Sequence, residues 1–112
     1  MASLKWNLNT TKLVVYDKKL DKALVFDRDE GISFYCGDHA FTVDPSIIAS
    51  AYMDKPRLFK KGVIALFDAD DEVIQCEGIN LGVAVSVSRK YKDDFYLMYS
   101  VLKDNGIDVT VG

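Results

Sequence analysis

Three clusters in this chain carry side chains able to do chemistry. In Ala65-Leu66-Phe67-Asp68-Ala69-Asp70-Asp71-Glu72-Val73 an apolar run ends in a set of carboxylates. Magnesium is a hard cation that prefers oxygen ligands, so Asp68 and Asp70 could hold it for hydrolysis. Cys36-Gly37-Asp38-His39 places a thiol, a carboxylate and the only imidazole within four residues. Those are zinc ligands, or the parts of a Cys/His nucleophile pair. The third cluster is Lys55-Pro56-Arg57-Leu58-Phe59-Lys60-Lys61. Its four cations could engage phosphate headgroups or an acidic peptide, while Leu58 and Phe59 insert or dock.

Each cluster also has a plain structural reading. A structural zinc site wants four ligands, and Cys76 is the only other thiol in the chain. Gly37-Asp38 therefore reads as a hairpin turn, with His39 opening the next strand. The acidic cluster reads as a turn between two antiparallel strands, its carboxylates solvated. An apolar strand ending in Asp-x-Asp also resembles the opening motif of haloacid-dehalogenase phosphatases. That resemblance implies Asp68 as the attacking carboxylate, but only Glu72 to Gly112 follows, too little for such a domain. The Gly and distal Glu of an EF-hand loop are missing as well. In the basic island, Pro56 removes a backbone donor and argues for a loop or strand entry. Its cations are then solvated, with Leu58 and Phe59 closing the core beneath. The expectation is no catalytic residue, no metal and no cofactor, with Lys55, Arg57, Lys60 and Lys61 the candidate binding residues.

The elements that must position these residues are written mostly with period two. In Gly82-Val83-Ala84-Val85-Ser86-Val87-Ser88 the three valines point one way and the small residues the other. That is the pattern of a strand with one buried face. Similar runs are Leu4 to Leu8, Lys12 to Asp17, Lys22 to Asp27, Ile32 to Cys36, Ile48 to Met53 and Val63 to Phe67. Polar turns join them at a spacing of roughly 8–12 residues, which describes an antiparallel meander. From Lys90 to Asn105 the period changes: Tyr91, Phe95, Met98 and Leu102 recur as an amphipathic helix requires. Ser88 is its expected N-cap, and Asn105-Gly106 its stop. Ile107 to Val111 reads as a last short strand or a tail.

Length and composition bound what such elements can build. The chain has 112 residues, 49% of them hydrophobic and 28% charged, with a net charge of -3. It is expected to form one domain over 1–112. It is too apolar for disorder and too balanced for a general polyanion binder. No apolar run approaches the roughly 20 residues of a membrane span. Met1 to Trp6 lacks the apolar core of a signal peptide, which places the protein in the cytoplasm. Cys36 and Cys76 then read as half-buried thiols, and Asn9-Thr10-Thr11 as a coincidental glycosylation acceptor. Trp6, Tyr16, Phe26, Phe34 and Tyr35 do not alternate with Lys or Arg as RNA-binding aromatics do, so nucleic acid is disfavoured.

A sheet-rich chain with one amphipathic helix at its end must cover an apolar face with that helix. The expected class is mainly β (α+β): a bent antiparallel sheet or partly open barrel capped by one C-terminal helix. This order resembles the pleckstrin-homology-like (PH-like) fold, and in particular bacterial PH-like domains of unknown function. The residues that carry the resemblance are Phe41 to Ile48, Lys61 to Phe67 and Val85 to Phe95. It implies a non-enzymatic module for binding or self-assembly, with a protein partner or a homo-oligomer. Its alternative is a peripheral binder of anionic lipid headgroups, or of a phosphate ligand, through the Lys55–Lys61 loop. PH domains place a basic site after their first strand, and the matching Lys18, Lys19 and Lys22 are here broken by Asp17 and Asp21.

Overall fold

The structure is a computed structural model that describes residues 4–76 and 81–112. Met1 to Ser3, part of the leader reading above, lie outside the described residues. The period-two runs become strands. β1 (Lys12–Asp17), β2 (Lys22–Asp27), β3 (Gly31–Cys36) and β4 (His39–Val43) form an antiparallel sheet in chain order. Register places Leu13, Phe26, Ile32 and Val43 in one inner row, and Val15, Leu24, Phe34 and Phe41 in the next. All but Phe41 are buried. Each large side chain removed from water contributes about 1.5–3 kcal/mol before entropy is counted.

β5 (Ser50–Asp54), β6 (Gly62–Phe67), β9 (Ala84–Val87) and β10 (Asp108–Val111) form the second sheet, in the order β10-β5-β6-β9. Between β6 and β9 lie the short paired strands β7 (Gln75–Cys76) and β8 (Leu81–Gly82). Val83, Val85 and Val87 are buried, as their alternation requires. They share one core with the inner rows of the first sheet, with Ile64 and Leu66 of β6, and with the helix.

The helix, α1 (Lys92–Asp104), buries Phe95, Met98, Val101 and Leu102. It packs against β1 and β10. Gly106 ends it at φ +76°, a conformation that costs glycine little. The chain then returns as β10, the strand alternative for Ile107 to Val111, beside β5 and parallel to it. Among the described residues this is the one parallel pair, and the other ladders are antiparallel. Among the described residues the fold is thus mainly β with one α-helix near the C-terminal end, and the sheets do not close into a barrel.

Two local expectations are corrected. Leu4 to Leu8 is not a strand. Leu4 is buried and Leu8 packs on the core, but the backbone is tied to the helix end: Lys5 N–H donates to Asn105 Oδ1 at 2.8 Å. Ser88 does not cap α1. The chain leaves β9 through a 3-10 turn, Arg89–Tyr91, so Tyr91 stands at the helix N-cap position; the Ser88 side chain makes no capping bond.

Candidate binding surfaces

The Lys55–Lys61 segment is the connection between β5 and β6. Asp54 is only 8% exposed at the end of β5. Its carboxylate meets Arg57 Nη1 at 3.1 Å and Lys60 Nζ at 4.0 Å. Between those two cations the chain closes a tight turn, Arg57 N–H donating to the Lys60 carbonyl at 2.7 Å. Lys61 lies 3.4 Å from Asp17, whose side chain is almost wholly buried. The buried carboxylates thus pair with three of the four cations, whose side chains stay exposed as a whole. Lys55 is exposed.

The apolar pair in this turn does the opposite of what was expected. Leu58 is 66% exposed and Phe59 94% exposed. They do not close the core, because a two-residue apex between paired flanks projects away from the sheet that carries it. Reading large apolar residues as inward fails at such a position. Two shallow clefts adjoin the turn and share Lys61 and Ser88. One is lined also by Tyr16, Asp17, Lys18 and Lys90, the other by Arg57, Lys60 and Arg89.

The acidic cluster is built as a turn. Asp68 Oδ1 accepts the N–H groups of Asp70 at 2.9 Å and Glu72 at 3.1 Å, and Asp71 adopts φ 62°. Asp68 is therefore occupied in holding its own loop, while Asp70 and Asp71 face solvent. At the other cluster, Gly37 takes φ +57° in the two-residue hairpin between β3 and β4. His39 is exposed and lies over Phe41, with ring centroids 6.2 Å apart. Cys36 is half-buried and Cys76 buried, and neither is in a disulfide. Burial, and secondarily the neighbouring Cys36, push the Cys76 thiol above its ordinary value, which disfavours the reactive thiolate. Among the described residues, no group of three His, Cys, Asp or Glu side chains is placed to hold a metal.

A surface that the linear sequence conceals is the outer face of the first sheet. Register aligns Val14, Val25, Ser33 and Thr42 in one row, and Tyr16, Ala23, Tyr35 and Ala40 in the next. None of these eight side chains is charged, and all are half-buried or exposed. The third row of the same face holds Lys12 and Asp27, paired across β1 and β2; recognising the two uncharged rows beside it needs the pairing of four strands. At the sheet margin, β4 pairs only with β3 among the described residues. In a two-residue hairpin the residues flanking the turn form a hydrogen-bonded pair, so the alternation turns the Ala40 and Thr42 amides outward.

Comparison with protein-family models, with curated proteins and with solved structures returns no match. The class is therefore defined by architecture: among the described residues, two four-stranded sheets on one core, a two-stranded β7–β8 ribbon and one α-helix near the C-terminal end. Among the described residues, no helix is long and apolar enough to cross a membrane.

Proposed function

We propose that this chain is a non-enzymatic, PH-like module for protein–protein interaction that self-assembles through the outer face of its first sheet. The PH-like reading is supported by the order of elements: four antiparallel strands, then β5, β6 and β9, then α1. β10 is an addition to that pattern. The assembly reading is carried by the two uncharged rows of the outer face, which end at the Lys12–Asp27 pair. An antiparallel sheet that faces water ordinarily alternates polar and often charged side chains outward. Protein interfaces are depleted of charge and enriched in tyrosine, as the Tyr16–Tyr35 row is.

A second copy suits this surface. A two-fold contact brings like surface onto like, and the two uncharged rows of this face meet without self-repulsion, while Lys12 and Asp27 at its end are a pair of opposite sign. The outward amides of Ala40 and Thr42 extend the surface to an edge that a second β4 can pair with. The proposed compartment is the cytoplasm, a reading supported by the two free thiols; a bacterial source follows only from the resemblance to bacterial PH-like domains. Sedimentation velocity across a concentration series tests the assembly. The wild-type chain should associate, and Tyr35→Lys, at a position 41% exposed, should make it monomeric while it stays folded by circular dichroism. A strictly monomeric wild-type chain would count against the proposal.

A further inference from the structure

We infer that the β5–β6 turn is a membrane-docking tip, with Leu58 and Phe59 inserting into an anionic bilayer and the surrounding cations meeting its headgroups. This goes beyond self-assembly and uses a different surface. Phe59 is the most exposed large apolar side chain described, at 94%, and Leu58 beside it is 66% exposed. An isolated apolar residue on a surface is ordinary. Two adjacent ones at the apex of a closed turn form a protrusion, which fits a deformable apolar layer better than a preformed pocket on a protein.

Charge names the layer. Lys18, Arg57, Lys60, Lys61, Arg89 and Lys90 line the two clefts around the turn. Asp17 is the one carboxylate in either lining, and Asp54 lies beneath Arg57 and Lys60. The chain as a whole has a net charge of -3, so positive charge is concentrated at the end that carries the apolar apex. An anionic leaflet attracts such a cluster within about one Debye length. The ion pairs to Asp54 and Asp17 hold the cations in a collar rather than over the apex. The backbone pairing of Arg57 with Lys60 orders the turn before contact, which lowers the entropy cost of docking.

Flotation of the full chain with vesicles tests this. It should bind phosphatidylcholine vesicles that contain phosphatidylserine, not phosphatidylcholine alone, and bind less as salt rises. Phe59→Ala should weaken that binding about tenfold or more. Because Phe59 is almost wholly solvated, the variant should keep the wild-type melting temperature. Phe59→Trp should keep binding and gain a blue-shifted emission on the same vesicles. Absence of vesicle binding at low salt overturns the proposal, as does vesicle binding unchanged by Phe59→Ala. Calorimetric titration with inorganic phosphate separates the sources of the anion. Tight phosphate binding that Phe59→Ala leaves intact, without vesicle binding, would make this a soluble-phosphate site and also overturn the proposal. Self-association of Phe59→Ala should match wild type, so failure of one surface is distinguishable from failure of the other.

Discussion

The carboxylate of Asp94 accepts the backbone N–H of Val14 at 2.8 Å, across 80 positions of sequence. Val14 lies on β1, at the margin of the first sheet, and Asp94 in the first turn of α1. One acid therefore does two things: it sits at the positive end of the helix dipole and satisfies an amide at the margin of the sheet. The helix is joined to the first sheet by a directed bond as well as by its apolar stripe.

Asp94→Ala should destabilise the fold by about 1–3 kcal/mol, because the Val14 amide loses its acceptor at a part-buried site. Asp94→Asn should cost less, since an amide oxygen can still accept. Urea unfolding of both variants checks this. Equal midpoints for Asp94→Ala and wild type would show that the bond contributes nothing.

The apolar side of the same helix should be worth more. Phe95 is 3% exposed and belongs to the core shared by both sheets. Phe95→Ala should cost about 3–5 kcal/mol, from lost burial plus the cavity left behind. Tyr96, its neighbour, is 50% exposed, so Tyr96→Ala should cost much less. Thermal unfolding of the two variants side by side tests whether the stripe faces the core.

These contrasts also mark what was legible in the linear chain. A strand with one buried face must alternate, so β1, β2, β3 and β9 could be read from Leu13-Val15, Leu24-Phe26, Ile32-Phe34 and Val83-Val85-Val87. The helix could be read from the changed period at Phe95, Met98 and Leu102. Alternation alone does not make a ladder, however, and Leu4 to Leu8 alternates while bonding to the helix end instead. The parallel partnership of β10 with β5 depends on where α1 delivers the chain, which no local pattern encodes. The basic cluster was visible as a composition. The direction of Leu58 and Phe59 was not, because it follows from the turn that Arg57 and Lys60 close. The two uncharged rows of the outer face required the register of four strands at once.

Acid should lower stability through two turn carboxylates. Asp27 is held below the ordinary carboxylate value by the N–H groups of Glu30 and Asp29, and Asp44 by Ser46. A carboxyl whose folded value is depressed gives stability that is present above its unfolded value, near 4. That stability is lost as pH falls through the lower, folded value. Unfolding midpoints should therefore fall as pH drops below about 4, and Asp27→Asn should flatten that part of the profile. An identical profile for variant and wild type would remove Asp27 from the account.

Gly62 opens β6 immediately after the basic turn, and it is buried. A Cβ placed there would run into the carbonyl oxygen of Asp54 and lie 2.6 Å from the Pro56 nitrogen and 2.8 Å from the Lys55 carbonyl carbon. These are backbone atoms of the incoming arm, so no side chain can swing aside to make room. The close approach of the two arms is what lets Asp54 reach both Arg57 and Lys60. Gly62→Ala must therefore spread the base of the turn, at a cost of about 1–3 kcal/mol, typical of overpacking. Gly31→Ala is the informative comparison. Gly31 has open space around it but sits at φ +87°, so its penalty comes from backbone strain and leaves the basic turn untouched. Thermal unfolding should show both variants destabilised. Proton chemical shifts of Arg57 and Lys60 should move in Gly62→Ala alone. Unchanged shifts there would mean that the arms tolerate a side chain between them and that their approach does not shape the turn.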